Sequence, residues 1–430
     1  PNGKAVVLKS DGTVEVVGLA GSPVTESIPA GSSVGFNAYG STEFITASFD
    51  PNNSDTFIVA YKGASNYGKA CVGTVSGTSI TFGSEYTFNA SNTYEISASL
   101  DPNTAGKFVV AYKDGGNSNY GTAIVGTVSG TSISFGSEVV FNSSAVDFTS
   151  ISFDPNTAGK FVIVYKGGNK GKAIVGTVSG TTSSFGTEVI FNAADTRYNS
   201  VVFDPNNTGK FAVAYSDWGN SQYGTAISGT VSGTSVSFGS EYAFTSTAVE
   251  FISASFDPNS SGKFAVAYMD AGNSNYGTAI VGTVSGTTIT FGSTYVFNSG
   301  SSVYNAAAFD ASTANKFVVT YSDGGNASRG TAIVGTVSGT TLSFGTEYVF
   351  NSVSSNYTSI AFDTDNPGKF VVAYDGSTGE GIVGQMAATE YITNLTATNF
   401  VGLTTEAITS GATGSITLRG GVSTNQTGLT

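Results

Sequence analysis

The chain has 430 residues, with 17 basic against 30 acidic side chains, a formal net charge of −13 and no histidine. That balance argues against nucleic-acid binding, since no stretch clusters Lys and Arg with aromatics. The lack of histidine excludes Ser-His-Asp and Cys-His catalysis, histidine-bearing zinc sites and imidazole acid–base chemistry.

With 56 glycines, 30 phenylalanines and 21 tyrosines there is ample apolar surface for a core. The single cysteine, Cys71, permits no intrachain disulfide and reads as a small core residue. No run of 18 apolar residues calls for membrane insertion, and no signal peptide is visible.

Residues 1–26 alternate as Ala5-Val-Val-Leu-Lys-Ser-Asp-Gly-Thr-Val-Glu-Val-Val, which predicts a hairpin turned at Ser10-Asp-Gly. Residues 27–388 then repeat one pattern seven times. Its clearest copy reads Leu100-Asp-Pro-Asn-Thr-Ala-Gly-Lys-Phe-Val-Val-Ala-Tyr, Gly121-Thr-Ala-Ile-Val-Gly-Thr-Val-Ser-Gly-Thr and Ile133-Ser-Phe-Gly-Ser-Glu-Val-Val-Phe-Asn. The anchoring aspartate recurs as Asp50, Asp101, Asp154, Asp204, Asp257, Asp310 and Asp363, at intervals of 51, 53, 50, 53, 53 and 53 residues. A period near 50 signals a propeller or solenoid, whose units bury apolar faces only against their neighbours.

Each copy holds four short apolar runs separated by turn chemistry, with no room for a helix. The second copy predicts antiparallel strands over 95–100, 107–112, 122–128 and 132–141. The innermost strands carry small residues, as in Ser97-Ala98-Ser99 and Ala306-Ala307-Ala308, which suits crowding around a narrow axis and favours a propeller. The seventh copy stops after its third strand, at Gly381-Ile-Val-Gly-Gln-Met-Ala. Ahead of the first copy, Ala30-Gly-Ser-Ser-Val-Gly-Phe-Asn-Ala aligns on the outer strand Phe82-Gly-Ser-Glu-Tyr-Thr-Phe-Asn-Ala. The expected fold is therefore all-β: a seven-bladed β-propeller of four-stranded blades, closed by an N-terminal strand that completes the last blade. Closure places Gly31–Asn37 beside Ile382–Met386 and removes open edges.

Three repeated polar motifs follow. The Asp-Pro-Asn-x-x-Gly-Lys loop reads as a turn with a solvated lysine rather than a ring of cation sites. The Phe-Gly-Ser-Glu glutamates (Glu85, Glu138 and Glu241, with Glu188 and Glu347 after Gly-Thr) read as charges that keep edge strands from aggregating. The hairpins between second and third strands are the better binding candidates. They contain Asp114, Asn117 and Tyr120; Asp217, Trp218, Asn220 and Tyr223; Asp270, Asn273 and Tyr276; and Asp323, Asn326 and Arg329.

Carboxylate, amide and aromatic groups together suit sugar recognition, and Trp218 stands where sister loops hold Gly or Ala. Asp and Asn beside Gly are also ordinary hairpin residues. The connections 143–148, 193–198 and 352–357 vary most and should share a face with these hairpins. No metal site and no cofactor is indicated.

Tyr215-Ser-Asp-Trp-Gly partly resembles the Asp-box of sialidase-like propellers, with its Asp-x-Gly core but without the leading Ser spacing or trailing Trp. Sialidases need an arginine cluster, and this chain has only Arg197, Arg329 and Arg419. A polysaccharide-cleaving propeller would also need two convergent carboxylates.

Residues 389–430 are Thr- and Gly-rich with strand-like pieces, expected to join residues 1–26 in a small, incomplete β-domain into which the propeller is inserted. Asn2-Gly-Lys-Ala-Val-Val-Leu-Lys-Ser-Asp-Gly-Thr-Val and Thr398-Asn-Phe-Val-Gly-Leu-Thr-Thr-Glu-Ala-Ile-Thr-Ser-Gly-Ala-Thr-Gly resemble segments of virion proteins of tailed phages, notably tail fibres of marine and cyanobacterial phages. The resemblance covers the two flanks. It implies a non-enzymatic virion appendage, a homo-oligomer partnered by other virion proteins, presenting loops to host-surface polysaccharide. A bacterial secreted or cell-surface adhesin is the alternative, and a polysaccharide-degrading enzyme a third reading.

Overall fold

The computed structural model describes residues 42–386 continuously, residues 28, 31–37 and 40, and the backbone of 5–8, 14–16, 400–404 and 416–417. Among the described residues, regular structure is antiparallel β-strand apart from three short 3-10 turns. The chain divides into two compact units, Pro1–Ser27 with Ala387–Thr430, and Ile28–Met386. In the first, Ala5–Leu8 pairs with Val14–Val16 and with Phe400–Thr404, which pairs with Ile416–Thr417. The turn expected at Ser10-Asp-Gly lies outside the described residues.

In the second unit each sequence repeat forms a sheet. Thr93–Leu100, Lys107–Asp114 and Tyr120–Ser129 run as consecutive antiparallel strands, with Phe108 opposite Gly126 and Asp114 opposite Tyr120. Phe108 to Tyr112 are all buried, because alternate side chains face opposite neighbours. Phe108, Val110 and Tyr112 pack on Ile58, Ala60 and Val72 of the preceding repeat, while Val109 and Ala111 pack on Phe161 and Ile163 of the next. Each large side chain buried this way contributes roughly 1.5–3 kcal/mol. Glycine at 126 is required by close approach, since a Cβ there would lie 2.1 Å from the Phe108 ring.

The fourth strand differs from expectation. It is split into Ser132–Phe135 and a second piece beginning at Val139. Between them the Gly136 amide donates to the Val125 carbonyl (2.9 Å), and Glu138 turns inward. The second piece continues to Phe153, so residues 143–148 are strand rather than loop and pass directly into the next repeat. The hairpins do touch these connections: Gly115 N donates to Asn92 O (2.7 Å) and Trp218 N to Asp195 O (3.0 Å).

Two motif readings are corrected by the side chains. The Glu138 carboxylate accepts from the hydroxyl of fully buried Tyr112 (2.7 Å), as Glu241 does from Tyr215 (2.8 Å) and Glu347 from Tyr321 (2.8 Å); Glu85 and Glu188 serve Tyr61 and Tyr165. These glutamates satisfy buried phenols as well as charging an edge. Lys107 is not free in solvent: its ammonium donates to Thr127 Oγ1 (2.7 Å), as Lys160 does to Thr177 (2.7 Å). The anchoring aspartates are all buried, and Asp50, Asp101, Asp204 and Asp310 connect neighbouring repeats. Asp101 Oδ1 accepts from Asn103 N (3.0 Å) in its own turn, and Oδ2 accepts from Gly159 N (3.0 Å) in the next repeat. On the first strands, Ser97 Oγ accepts from Ile151 N (3.2 Å) and Ser253 Oγ from Ala307 N (3.0 Å), which is why small residues stand there.

The ends of this unit meet. Val34–Gly35 pairs with Gly379–Gln385, Val34 opposite Gly381. The register lies nearer the start of that strand than expected: Gly31 N donates to Val383 O (3.0 Å), and Phe36 N to Gly379 O (2.8 Å), so the partners are 379–383 rather than 382–386. The Gly31 bond repeats that of Gly136 to Val125. Ala47 N donates to Ser359 Oγ (2.9 Å), as Ile151 N does to Ser97, and Lys369 Nζ reaches Asp55 Oδ1 at 3.3 Å.

Candidate functional site

The second-to-third-strand hairpins present two kinds of residue. Asp114, Asp217, Asp270 and Asp323 are buried and spent on their own turns. Their Oδ1 atoms accept from the amides of Gly116 (2.9 Å), Gly219 (2.9 Å), Gly272 (3.1 Å) and Gly325 (3.0 Å). Asp114 and Asp323 also accept from the Asn89 and Asn298 side chains (3.0 and 3.1 Å). Asn117, Asn220 and Asn273 are exposed, whereas Asn326, Tyr120, Tyr223, Tyr276 and Arg329 are half-buried. Arg329 is held by Ser352 O (3.2 Å) and Asn326 Oδ1 (3.1 Å). Each hairpin ends in consecutive left-handed residues, such as Ser118 and Asn119 at φ 56° and 62°, which turn the tip sharply back.

Trp218 is 40% exposed. The Arg197 guanidinium lies 3.4 Å from the indole centroid, a cation–π stack, and also pairs with Asp195 (3.3 Å). Lys166 joins Asp195 (3.3 Å) to Asp147, which pairs with Lys113 at 2.7 Å. A ladder of alternating charges therefore runs from Trp218 across three repeats.

Beside these connections, at the same end of the first strands, lies a cavity of about 220 Å³ lined by two residues from each repeat. Every first strand carries a bulge here, and the bulged residue has positive φ: Phe44, Glu95, Phe148, Tyr198, Phe251, Tyr304 and Tyr357, at φ 49° to 55°. Bulky residues there cost on the order of 1–3 kcal/mol each and cluster at functional positions. Phe148, Tyr198, Phe251, Tyr304, Tyr357 and Phe44 form an unbroken chain of ring contacts, with neighbouring centroids 4.6 to 5.4 Å apart.

Glu95 replaces the aromatic ring in the second repeat. Its Oε2 accepts from Phe148 N (2.9 Å). Burial, reinforced by Asp147, pushes its carboxyl up to about 7, against the opposing pull of the Phe148 amide and of Lys113 and Lys166. Next to it on the cavity wall, Thr149 Oγ1 and Asn199 Oδ1 are buried without a hydrogen-bond partner, although Asn199 Nδ2 donates to Phe148 O (3.2 Å).

The sequence pattern predicts neither this cavity nor a charge ladder of Lys113, Asp147, Lys166, Asp195 and Arg197. Its signal is present: an aromatic residue stands six places before the anchoring aspartate in every repeat but the second. Nothing in a single strand says that these positions converge.

No family model matches the chain, and no curated protein matches it in sequence. Among solved structures, Sqt1 of Saccharomyces cerevisiae is similar with a TM-score of 0.53 at 12% identity, over 84% of this chain and 100% of that one. Sqt1 of Chaetomium thermophilum is similar with a TM-score of 0.52 at 11% identity, over the same shares. Both are β-propellers, and at this identity the likeness carries the fold alone: the repeats form a propeller.

Proposed function

We propose that this chain is a non-enzymatic virion component, a phage tail fibre or appendage, whose propeller has seven four-stranded blades closed by the N-terminal strand. Its hairpin end attaches to host-surface polysaccharide, and several copies assemble with other virion proteins. Ring closure is supported by the Val34–Gly35 pairing with Gly379–Gln385 and by the Ala47 to Ser359 bond, which join first and last repeats as internal repeats are joined. The virion reading rests on the resemblance of the flanks. A non-catalytic role is supported by a sequence without histidine whose hairpin aspartates are occupied by their own turns.

The observation that carries attachment is Trp218 with Arg197: an exposed indole held flat by a guanidinium, among exposed amides of Asn220 and its counterparts. Such a platform stacks on a sugar ring while amides bond its hydroxyls. Replacing Trp218 and Tyr223 together by alanine is expected to weaken retention on host envelope polysaccharide at least tenfold, about 1.4 kcal/mol. Retention unchanged on a glycan array would remove this site. Immunogold imaging of intact particles tests the location, with label on tails or other appendages expected; particles free of label would overturn the virion reading.

A further inference from the structure

The cavity at the bulged ends of the first strands lies apart from the hairpin tips. Its wall is two-sided. One side is ring faces and aliphatic side chains, including Tyr304, Tyr357, Phe251 and Ile252. The other is a corner built by three successive repeats from Glu95, Thr149 and Asn199. That corner holds oxygens with acceptor capacity to spare. Glu95 has one oxygen engaged by the Phe148 amide, and Thr149 Oγ1 and Asn199 Oδ1 are buried with no partner.

Asn199 lines the cavity and is only 8% exposed, and its Oδ1 stays unsatisfied until a donor reaches it. Equivalent positions in other repeats are satisfied within the protein: Asn305 Oδ1 accepts from Ser302 Oγ (2.6 Å), and Thr358 Oγ1 donates to Tyr304 O (2.6 Å). In the fourth repeat the counterpart of Ser302 is Thr196, whose own Oγ1 is buried without a partner, so Asn199 Oδ1 receives no such bond. The lysines nearest Glu95 do not supply it, since Lys113 is paired with Asp147 and Lys166 with Asp147 and Asp195.

We infer that this cavity binds a small ligand bearing an alkylammonium group, whose N–H donors meet Glu95, Thr149 and Asn199 while its carbon skeleton packs on the aromatic rings. A single ammonium answers all three acceptors and supplies the missing counter-charge. A neutral hydroxyl would leave the carboxylate uncompensated. The binding is independent of Trp218, so it can succeed or fail apart from polysaccharide attachment.

The test is titration of the whole chain with cyclohexylammonium chloride, followed by saturation-transfer NMR and calorimetry, with cyclohexanol as the neutral analogue. Binding of the ammonium at least tenfold tighter than the alcohol is expected. Glu95→Gln, which keeps shape and removes charge, should weaken it at least fivefold, and Thr149→Val at least twofold. In the wild type the affinity should rise several-fold between pH 6 and pH 8, and stay flat in Glu95→Gln. Trp218→Ala should leave it unchanged. No detectable binding, equal binding of cyclohexanol, or full affinity in Glu95→Gln would each overturn the inference.

Discussion

Glu95 is the residue at which the repeat departs most sharply from its own pattern. Five aromatic neighbours and one further ring surround the cavity, and a carboxyl takes the seventh place, held by one amide and crowded by Asp147. Because burial raises its folded-state value from 4.5 to about 7, the folded protein holds this proton more tightly than the unfolded chain. Its contribution to stability is therefore fully present below pH 4.5 and lost as pH rises through 7. Relative to Glu95→Gln, the wild type is expected to lose on the order of 1–3 kcal/mol between pH 4.5 and 7.5. Urea titrations across that range check it, and parallel pH profiles for the two proteins would show that Glu95 titrates as an ordinary surface group.

At the scale of the element, each second strand buries a tyrosine that must find an acceptor for its hydroxyl. Four repeats after the first resolve this with a glutamate on the fourth strand, and the seventh uses Glu380 instead (2.9 Å). The fifth repeat has Thr294 where the glutamate would stand, and the Tyr268 hydroxyl is buried without a partner. Tyr268→Phe is accordingly expected to gain about 1 kcal/mol and Tyr112→Phe to lose about 1 kcal/mol, with Thr294→Glu gaining a similar amount. Denaturation midpoints decide this; identical losses in both Tyr→Phe variants would refute it.

The strands themselves were legible from alternation and turn residues, as with Lys107–Asp114 and Tyr120–Ser129. The split of the fourth strand was not, because it arises from Gly136 and Glu138 reaching partners on other strands. In the same way Asp114 and Asp217 looked like sugar ligands from their hairpin composition. Only their burial reveals that the turn consumes them.

Across the whole molecule, the first and last repeats of the Ile28–Met386 unit are joined where Val34–Gly35 pairs with Gly379–Gln385. Phe36 lies over Gly379 as Phe141 lies over Gly121, so the N-terminal segment occupies a position already filled by chain-local residues in other repeats. If the ring is closed, Phe36→Ala should cost as much as Phe141→Ala, about 3 kcal/mol or more for a buried phenylalanine. Calorimetric unfolding of the two variants measures this directly, and a negligible cost for Phe36→Ala would mean that the terminal strand is dispensable. Without that strand Gly379–Gln385 becomes an open edge, a surface prone to pairing between chains.

The amino-acid sequence by itself determined the repeat, its period, the strand type and the segment that completes the last sheet. These are encoded by patterns within about 50 residues, where alternation and turn chemistry act locally. Tertiary structure alone decided what the polar side chains do. The Glu85 and Glu138 carboxylates are bound to buried tyrosines, the anchoring aspartates Asp50, Asp101, Asp204 and Asp310 bridge repeats, and Glu95, Thr149 and Asn199 share one corner although they lie about 50 residues apart. The physical reason is that a hydrogen bond or a cavity is made by groups from different repeats. Their convergence is fixed by how the sheets stack, and no single strand carries that information.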